Sequence, residues 1–211
     1  MRGFYFITHR PLSPAGLVAD VATAVAAGVT VVQYRDKEAD GRTLYTEARR
    51  LREVCRGILF LVNDRVDVAL AVDADGVHLG QRDLPCPVAR RLLGPRKIIG
   101  VTVSSLAEAR QAIRDGADYL GVSPIFATRT KADAGPPAGL RLLAEIRAET
   151  GLPLIAIGGI TLENAPEVVA AGADGLCAIS ALYARGELGE AIREFQRLFP
   201  TEAPRPSLPE R

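Results

Sequence analysis

The segment RDGADYLGVS at residues 114–123 carries the pattern that decides the fold of this chain. It joins the end of a helical segment, a turn with Gly and Asp, and an apolar run whose composition is typical of a buried strand. The same pattern recurs in AAGVTVVQY at 26–34, AVDADGVHLG at 71–80 and AAGADGLCAI at 170–179. The recurrence indicates that one strand–helix unit is used repeatedly.

Eight apolar runs alternate with helical segments, and we expect each run to be a strand of a parallel sheet. Eight units in about 200 residues favour an α/β fold, a closed (β/α)8 TIM barrel. A doubly wound open sheet is the alternative, but it usually has fewer strands, and no G-x-G-x-x-G follows the first strand. The barrel would occupy residues 1–199, and the polar, Pro-rich residues 200–211 are expected to be a disordered tail. The predicted strands are 4–8, 29–34, 58–62, 75–79, 97–101, 118–122, 153–157 and 174–178.

Capping residues indicate where several of the eight expected helices begin. Ser13 is expected to be the N-cap of the first helix, with Pro14 at its first position. Asn63-Asp64 is expected to be a strand end and a helix N-cap together. Thr161 is expected to cap the seventh helix.

The composition excludes several classes of function. The net charge of +1, 5% aromatic residues and the absence of Trp make nucleic acid a poor candidate partner. No apolar run reaches about 18 residues, so no membrane span is expected. The run at residues 4–7 is too short for a signal peptide. Cys55, Cys86 and Cys177 are odd in number and far apart, and we expect them to be reduced, buried thiols of a cytoplasmic protein.

In a barrel of this kind the functional residues lie at the carboxyl ends of the strands. The residues that follow each predicted strand are therefore the candidates. Strands two to eight all deliver such residues to one rim. They are Gln33, Arg35 and Lys37; Asn63 and Asp64; Gln81 and Asp83; Thr102 and Ser104; Thr128, Thr130 and Lys131; Gly158-Gly159; and Ile179-Ser180.

The loop after strand six lies within GVSPIFATRTKADAGP at residues 121–136. No apolar periodicity runs through its Thr-Arg-Thr-Lys sequence at 128–131. Two hydroxyls and two cations in a row suit an anion such as phosphate, although a solvated surface loop is the other interpretation. Gly158-Gly159 and Ile179-Ser180 follow strands seven and eight, where barrels frequently bind phosphate through backbone N–H groups. A lone Gly pair would indicate a tight turn, but this combination favours a phosphate site.

A second group of charged and amide side chains on the rim admits two interpretations. The side chains could form ordinary salt bridges. They also fit a diphosphate with Mg²⁺, because carboxylates bind the metal ion while cations and an amide neutralise the phosphates. Asp64 and Asp83 would be the metal pair. The group consists of Arg35, Lys37, Asn63, Asp64, Asp83 and Lys131.

Sites for a monophosphate and a Mg²⁺-diphosphate suggest a transferase with diphosphate as the leaving group. Lys131 could bridge the two halves; a Schiff-base role is the alternative, but such lysines usually lie within a strand. No His and Cys grouping suggests zinc, and no Ser, His and Asp set suggests a nucleophile. His78 alternates with apolar residues inside a predicted strand, which is more typical of a packed histidine than of a ligand.

Six motifs together closely resemble the thiamine phosphate synthase family, over almost the whole chain to about Leu198. The resemblance implies a (β/α)8 enzyme that joins 4-amino-2-methyl-5-hydroxymethylpyrimidine diphosphate to 4-methyl-5-(2-hydroxyethyl)thiazole phosphate and releases diphosphate. It also implies a dissociative mechanism, in which the thiazole nitrogen captures a pyrimidine methylene cation. The motifs are QYRDK at 33–37, NDRVDVAL at 63–70, DGVHLGQRD at 75–83, SPIFATRTKADAGP at 123–136, IAIGGIT at 155–161 and GADGLCAIS at 172–180.

The resemblance also implies a role for each site residue. Arg35, Lys37 and Lys131 are the catalytic candidates, because their charges would stabilise the leaving diphosphate. The implied binding sets are Tyr5, Gln33 and Thr102 for the pyrimidine; Arg35, Lys37, Asn63 and Lys131 for the diphosphate; Asp64 and Asp83 for Mg²⁺; and Thr128, Thr130, Gly159, Ile179 and Ser180 for the thiazole phosphate.

Three positions depart from the usual family pattern: Thr102 replaces Ser, Ser104 stands where His is common, and Ser123 replaces the Gly of a GPI sequence. They bear on substrate fit rather than on reaction class. A related family, the thiazole tautomerase, shares the fold and typically uses a His near position 104. A phosphate-ligand sensor on the same barrel is a non-enzyme alternative. Loss of the charged rim residues Arg35, Lys37, Asp64, Asp83 or Lys131 would indicate such a sensor. The sequence leaves open whether the chain forms a homo-oligomer.

Overall fold

The computed structural model describes residues 1–128, 135–184 and 186–199. Eight strands form one closed barrel, in which each strand runs parallel to its neighbours in chain order. The predicted (β/α)8 barrel is confirmed, and each strand overlaps its predicted run. The strands are β1 Gly3–Ile7, β2 Val31–Tyr34, β3 Leu59–Asn63, β4 Gly76–Leu79, β5 Ile98–Val103, β6 Tyr119–Val122, β7 Leu154–Ile157 and β8 Gly175–Cys177.

Nine α-helices follow the strands within the described residues, one more than the sequence predicted. The additional helix, α8, is a short turn of helix directly after β8. Within the described part of the chain, no helix is long and apolar enough to cross a membrane. The helices are α1 Leu17–Ala26, α2 Gly41–Val54, α3 Val66–Ala71, α4 Cys86–Leu93, α5 Leu106–Arg114, α6 Gly139–Glu149, α7 Ala165–Ala170, α8 Ser180–Tyr183 and α9 Leu188–Gln196.

Alternation along the strands divides the apolar residues between two layers. In β1, Phe4 and Phe6 belong to the main core between strands and helices, whereas Tyr5 and Ile7 belong to a smaller cluster inside the barrel. The inner cluster is filled by large side chains, so polar residues at inward positions near the carboxyl ends, such as Gln33, face the mouth. The inner cluster comprises Tyr5, Ile7, Val31, Leu61, Tyr119, Ile155 and Cys177.

The Asp of the recurring segment has the same structural role in three places. Asp75 accepts a hydrogen bond from the backbone N–H of Phe60 at 2.7 Å, and it pairs with Arg52 of α2 at 2.9 Å. The equivalent sets are Asp118 with Ile99 and Arg90, and Asp174 with Leu154 and Arg147. Each Asp therefore ties the start of one even-numbered strand to the preceding strand and to the helix before that. We call these three sets the Arg–Asp clamps.

The fourth copy of the segment, AAGVTVVQY, has Thr30 where the others have Asp. Here the last helix supplies the missing acceptor. Gln196 of α9 accepts a hydrogen bond from the N–H of Phe4 at 2.9 Å and donates to the carbonyl of Gly28 at 2.8 Å. One carboxamide thus joins the last helix to β1 and to the turn before β2, where the barrel closes.

The predicted start of the first helix is wrong. A 3₁₀ turn at Arg10–Leu12 precedes Ser13, and α1 begins only at Leu17. Gly16 precedes the helix with φ +87°, so Ser13 and Pro14 are separated from α1 by a residue outside the helical region.

Thr161 does not cap a helix either. Helix α7 begins at Ala165 after Asn164, whose carboxamide oxygen accepts a hydrogen bond from the N–H of Thr161 at 2.9 Å. The Asn164 amide nitrogen donates to the carbonyl of Gly159 at 3.0 Å. Residues 159–164 therefore form a turn that the hydrogen bonds of the Asn164 side chain close, and α7 begins only after this turn.

The three cysteines are free thiols and are buried, as the sequence predicted. Burial raises the pKa of the Cys55 thiol to about 12 and also raises the pKa of Cys86 and Cys177. The predicted tail at 200–211 lies outside the described residues.

Candidate functional site

An open cleft lies at the carboxyl ends of the strands, with a volume of about 890 Å³ measured out to the solvent at its mouth. Residues within or shortly after all eight strands contribute to its wall. Thr130 and Lys131 lie outside the described residues. The predicted site residues that line the cleft are Tyr5, Gln33, Arg35, Asn63, Thr102, Thr128, Gly159, Ile179 and Ser180.

The remaining predicted charges, Lys37, Asp64 and Asp83, meet in one group. The Lys37 ammonium lies 3.0 Å from the Asp64 carboxylate, and the carboxyl groups of Asp64 and Asp83 are hydrogen-bonded to each other. Asp83 also accepts a hydrogen bond from the N–H of Gly80 at 2.7 Å. The three charged side chains are not themselves among the residues that line the cleft, but Asp64 directly follows Asn63, which is. These residues are those that the sequence analysis assigned to the metal and diphosphate.

Asp64 is not a helix N-cap, contrary to one sequence-based interpretation. Arg65 precedes α3, and its side chain makes no capping hydrogen bond. Asp64 itself has φ +61°, a left-handed conformation that is uncommon outside Gly, Asn and Asp. The unusual backbone conformation is compatible with a functional role for this side chain.

The Asp64 and Asp83 pair fits a divalent cation. Burial, followed by the hydrogen bond to Asp83, raises the pKa of Asp64, because a second negative charge beside Asp83 is unfavourable. A hard cation would relieve the same repulsion through oxygen ligands. Within the ranges given for the structure, no three His, Cys, Asp or Glu side chains are grouped as metal ligands. A metal ion here would therefore rely on this pair and on oxygen atoms from water or a substrate.

The backbone of Arg35 is held by a buried side chain of the neighbouring strand end. The Thr8 hydroxyl accepts a hydrogen bond from the N–H of Arg35 at 2.9 Å and donates to its carbonyl at 3.2 Å. The Thr8 side chain is only 1% exposed. Asp36, the next residue, accepts a hydrogen bond from Arg10 at 2.6 Å and two more from the backbone of its own loop. Arg35 thus extends from a rigid strand end.

The Gly pair after β7 is required by close packing against the loop after β6. A Cβ atom at Gly158 would lie 2.8 Å from the Cα of Pro124, and one at Gly159 would lie 2.6 Å from the carbonyl oxygen of Ala127. Both glycines have positive φ, at +103° and +63°. Phe126 donates its N–H to the carbonyl of Gly158 at 3.0 Å. The two loops that were expected to hold phosphate therefore form one unit beside the cleft.

A chain of hydrogen bonds crosses the floor of the cleft. Gln33 donates its amide nitrogen to the hydroxyl of Tyr5 at 2.8 Å, and the hydroxyls of Tyr5 and Tyr119 are 2.7 Å apart. The Tyr119 hydroxyl lies 2.8 Å from Nδ1 of His78. Nε2 of His78 lies 2.7 Å from the hydroxyl of Thr102. We call these five residues the floor chain.

Sequence reasoning missed two members of the floor chain. It described His78 as a packed histidine, but the imidazole lines the cleft and has hydrogen-bond partners on both ring nitrogens. It assigned no role to Tyr119. Two strand glycines were a usable signal, because Gly within a strand often marks close approach of another group. A Cβ at Gly100 would lie 2.0 Å from the Tyr119 ring, and one at Gly121 would lie 2.9 Å from the His78 ring.

The positions that depart from the family pattern lie in different surroundings. Ser123 lines the cleft, whereas the Ser104 hydroxyl donates to Glu108 of α5 at 2.9 Å. Gln81 does not line the cleft and donates to the backbone carbonyl of Thr102 at 2.6 Å. Thr102 thus belongs to the floor chain by its side chain and is held by Gln81 through its backbone.

Comparison with known proteins identifies the family of this chain. The family model described as thiamine monophosphate synthase matches residues 4–182. A thiamine-phosphate synthase of Chloroflexus aurantiacus is 53% identical over 182 residues, which are 85% of this chain and 84% of the relative. The corresponding protein of Moorella thermoacetica is 52% identical over 180 residues, or 84% of this chain and 86% of the relative.

A solved structure agrees with the sequence relatives. The thiamine phosphate pyrophosphorylase from Pyrococcus furiosus has a TM-score of 0.85 and 43% identity, and the match covers 93% of this chain and 94% of that chain. Fold, sequence and the residues gathered at the cleft thus lead to one assignment. The chain belongs to the thiamine monophosphate synthase family, and it is a transferase.

Proposed function

We propose that this enzyme transfers the hydroxymethylpyrimidine group from its diphosphate to the nitrogen of hydroxyethylthiazole phosphate, in a reaction that requires Mg²⁺. The products are thiamine phosphate and diphosphate. One observation carries the proposal: a single cleft is lined on one side by Arg35 and Asn63, whose chain neighbours Lys37 and Asp64 form a charged group with Asp83, and on another by the packed loops after β6 and β7. That arrangement suits two phosphorylated substrates bound side by side.

The diphosphate half would lie beside the ends of β2 and β3. Arg35 and Asn63 line this part of the cleft, and Lys37 lies next to it. Guanidinium, ammonium and carboxamide donors bind phosphate oxygens and favour the negative charge that grows as the diphosphate leaves. Lys131 is the further cation proposed for this half, from the sequence resemblance.

Asp64 and Asp83 are the residues that would hold Mg²⁺, because their carboxyl groups already lie together. When bound, Mg²⁺ would neutralise charge on the diphosphate oxygens. The Lys37 ammonium is placed to reduce the repulsion between the metal ligands and the diphosphate, since it lies 3.0 Å from Asp64.

The acceptor phosphate would lie beside the ends of β7 and β8. Gly159, which has φ +63°, and Ser180, the first residue of α8, line the cleft there, and their backbone N–H groups would bind the phosphate. Thr128 lines the same region. Thr130 is proposed as a further phosphate contact, from the resemblance alone.

The proposed bond changes are those of a dissociative substitution. The bond between the pyrimidine methylene carbon and the bridging diphosphate oxygen breaks, and its electron pair leaves with the diphosphate. The lone pair of the thiazole nitrogen then forms the new carbon–nitrogen bond. Tyr5 and Gln33 would hold the pyrimidine ring, so that the methylene carbon stays close to the nitrogen while the acceptor is held by its phosphate.

The decisive experiment supplies purified protein with both substrates and Mg²⁺ and measures thiamine phosphate and diphosphate by mass spectrometry. We expect one diphosphate per thiamine phosphate, with formation abolished by EDTA and restored by added Mg²⁺. No thiamine phosphate under these conditions would refute the proposed function. Product formation that is insensitive to EDTA would refute the Mg²⁺ requirement alone.

A second experiment addresses the order of bond changes. Pyrimidine diphosphate labelled with ¹⁸O at the bridging oxygen is incubated with Mg²⁺ and a thiazole phosphate analogue that lacks the nucleophilic nitrogen. A dissociative step predicts that the label moves into non-bridging positions of the recovered substrate. Recovery of the label only in the bridge, with an enzyme shown to be active, would contradict the dissociative order. Borohydride should trap no adduct in the same mixture, because no Schiff base at Lys131 is proposed.

A further inference from the structure

The floor chain has a property that its separate hydrogen bonds do not reveal. Each phenol has one proton to donate, and burial raises the pKa of both Tyr5 and Tyr119, so both remain protonated. A neutral imidazole likewise carries one proton on either Nδ1 or Nε2. A hydroxyl oxygen can accept twice, but a buried phenol proton without an acceptor is costly, so the stable arrangement has each internal member donate once and accept once within the chain. The direction of one hydrogen bond then fixes the direction of all the others.

The structure has one of the two directions. The Gln33 amide nitrogen faces Tyr5, so the Tyr5 hydroxyl accepts from Gln33. In the direction that follows, Tyr5 is the donor to the Tyr119 hydroxyl, 2.7 Å away, and Tyr119 is the donor to Nδ1 of His78, 2.8 Å away. His78 then carries its proton on Nε2 and donates to the hydroxyl of Thr102.

The two ends of the chain are also the parts that meet a ligand. Gln33 and Thr102 both line the cleft, on β2 and β5. In this direction the Gln33 carboxamide oxygen is left as an acceptor, and the Thr102 hydroxyl keeps its own proton as a donor. If the Gln33 amide group were turned over, Gln33 would become a donor and Thr102 an acceptor toward the cleft, because every hydrogen bond between these two residues would reverse.

We propose that Tyr119 and His78 are specificity-determining positioning residues, which make Gln33 an acceptor and Thr102 a donor toward the ring bound in the cleft. The proposal rests on the proposed function and deepens it. A ring with an amino group toward Gln33 and a ring nitrogen toward Thr102 is complementary to this direction. The corresponding 4-oxo ring would set its oxygen against the carboxamide oxygen of Gln33, and it is rejected.

The packing around the floor chain supports a role that depends on position. The Tyr119 ring occupies space that a side chain at Gly100 would fill, and the His78 ring occupies space beside Gly121. The centroid of the Tyr119 ring lies 6.0 Å from the centroid of the Tyr5 ring and 5.5 Å from that of the His78 ring. Gln33, Tyr5 and Tyr119 are each 2% exposed or less. Strands β5 and β6 therefore have glycine, which carries no side chain, at the places where these rings cross the barrel.

The first test measures the His78 tautomer directly and needs no substrate. The chain has only two histidines, so ¹⁵N-histidine labelling gives two sets of ring nitrogen signals, and a His78→Gln variant assigns them. We expect His78 at neutral pH to carry its proton on Nε2. A proton on Nδ1, or on both nitrogens, would overturn the proposed direction.

The second test measures affinity for two unreactive ligands, the 4-amino and 4-oxo forms of hydroxymethylpyrimidine monophosphate, as inhibitors. A buried site that sets an acceptor against an acceptor typically discriminates by a factor of about 100 or more, and we expect that preference for the amino form. Tyr119→Phe removes the connection between Tyr5 and His78, which frees the Gln33 amide to turn. The preference should then fall by at least about tenfold.

Tyr34→Phe is the matched control, because the Tyr34 hydroxyl donates to Glu47 outside the barrel, at 2.8 Å. It should leave the amino preference unchanged. An equal loss of preference in both variants, or no loss in Tyr119→Phe with a retained fold by circular dichroism, would overturn the proposal. Absence of thiamine phosphate would instead refute the proposed function, and the tautomer measurement would still decide the direction of the floor chain.

Discussion

At the scale of single residues, the site depends on side chains whose partners come from distant parts of the chain. Asp64 and Asp83 follow different strands, yet their carboxyl groups are hydrogen-bonded to each other. Thr8 follows β1 and holds the backbone of Arg35 after β2. Both arrangements can be tested with substitutions that preserve side-chain shape.

Asp83→Asn tests the proposed metal pair. The substitution keeps the size of the side chain but removes a charged oxygen ligand, so we expect kcat to fall at least about 100-fold, the size of effect that loss of a charge-stabilising group produces. Asp67→Asn is the matched control, because Asp67 pairs with Arg65 in solvent and its side chain is 66% exposed. Equal rates for Asp83→Asn and the wild type, measured with saturating Mg²⁺, would remove Asp83 from the site.

Thr8→Val tests how Arg35 is positioned. Valine has the shape of threonine but makes neither hydrogen bond to the Arg35 backbone. A backbone displacement at Arg35 should raise KM for the pyrimidine diphosphate about tenfold, because an unpaired buried group costs about 1–3 kcal/mol. Thr8→Ser retains the hydroxyl and should behave like the wild type. A Thr8→Val enzyme with unchanged KM would show that the strand end holds Arg35 without this side chain.

At the scale of elements, the Arg–Asp clamps explain why the recurring segment recurs. Asp75, Asp118 and Asp174 precede β4, β6 and β8, and each accepts a hydrogen bond from the strand before. Their carboxylates lie at the amino ends of the strands, whereas the cleft lies at the carboxyl ends. The repeated Asp residues therefore contribute to stability, whereas the residues after each strand contribute to function.

Asp118→Ala should lower stability without altering the chemistry. It leaves the buried N–H of Ile99 without its acceptor and frees Arg90, which we expect to cost about 1–3 kcal/mol of unfolding free energy. Urea unfolding monitored by circular dichroism gives the value, and kcat at 25 °C should not change. Glu149→Gln, in the exposed pair with Arg110, is the control and should have little effect. A stable Asp118→Ala variant with a lowered kcat would contradict this separation.

At the scale of the whole molecule, one side chain joins the two ends of the barrel. Gln196 of α9 binds the N–H of Phe4 in β1 and the carbonyl of Gly28 before β2. It takes the place of the Asp that the second unit lacks. The last helix is therefore part of the closure of the barrel.

Gln196→Met tests this closure. Methionine fills similar space but leaves the buried N–H of Phe4 without an acceptor, so we expect a loss of about 1–3 kcal/mol in unfolding free energy. Gln111→Met is the control, because Gln111 lies on the exposed face of α5 and bonds only to residues near it in the chain. A urea midpoint equal to that of the wild type would mean that the barrel closes without this carboxamide.

The sequence by itself determined the barrel, its eight strands and the rim on which the polar residues stand, because apolar alternation and strand–helix order are local properties of the chain. Local signals failed at Ser13, Asp64 and Thr161, because a capping residue is recognised in a sequence only by its type. In the structure, the backbone conformation of Gly16 decides where α1 begins, and the closed turn at Asn164 decides where α7 begins.

Only the tertiary structure decided which rim residues meet. The hold of Thr8 on Arg35 and the contact between Tyr119 and His78 inside the barrel join residues that are 27 and 41 positions apart in sequence. Barrel closure sets those contacts, and no local pattern encodes them. The sequence determined that polar residues gather at the carboxyl ends of the strands, and the closed barrel determined which of them line the cleft and which share a hydrogen bond.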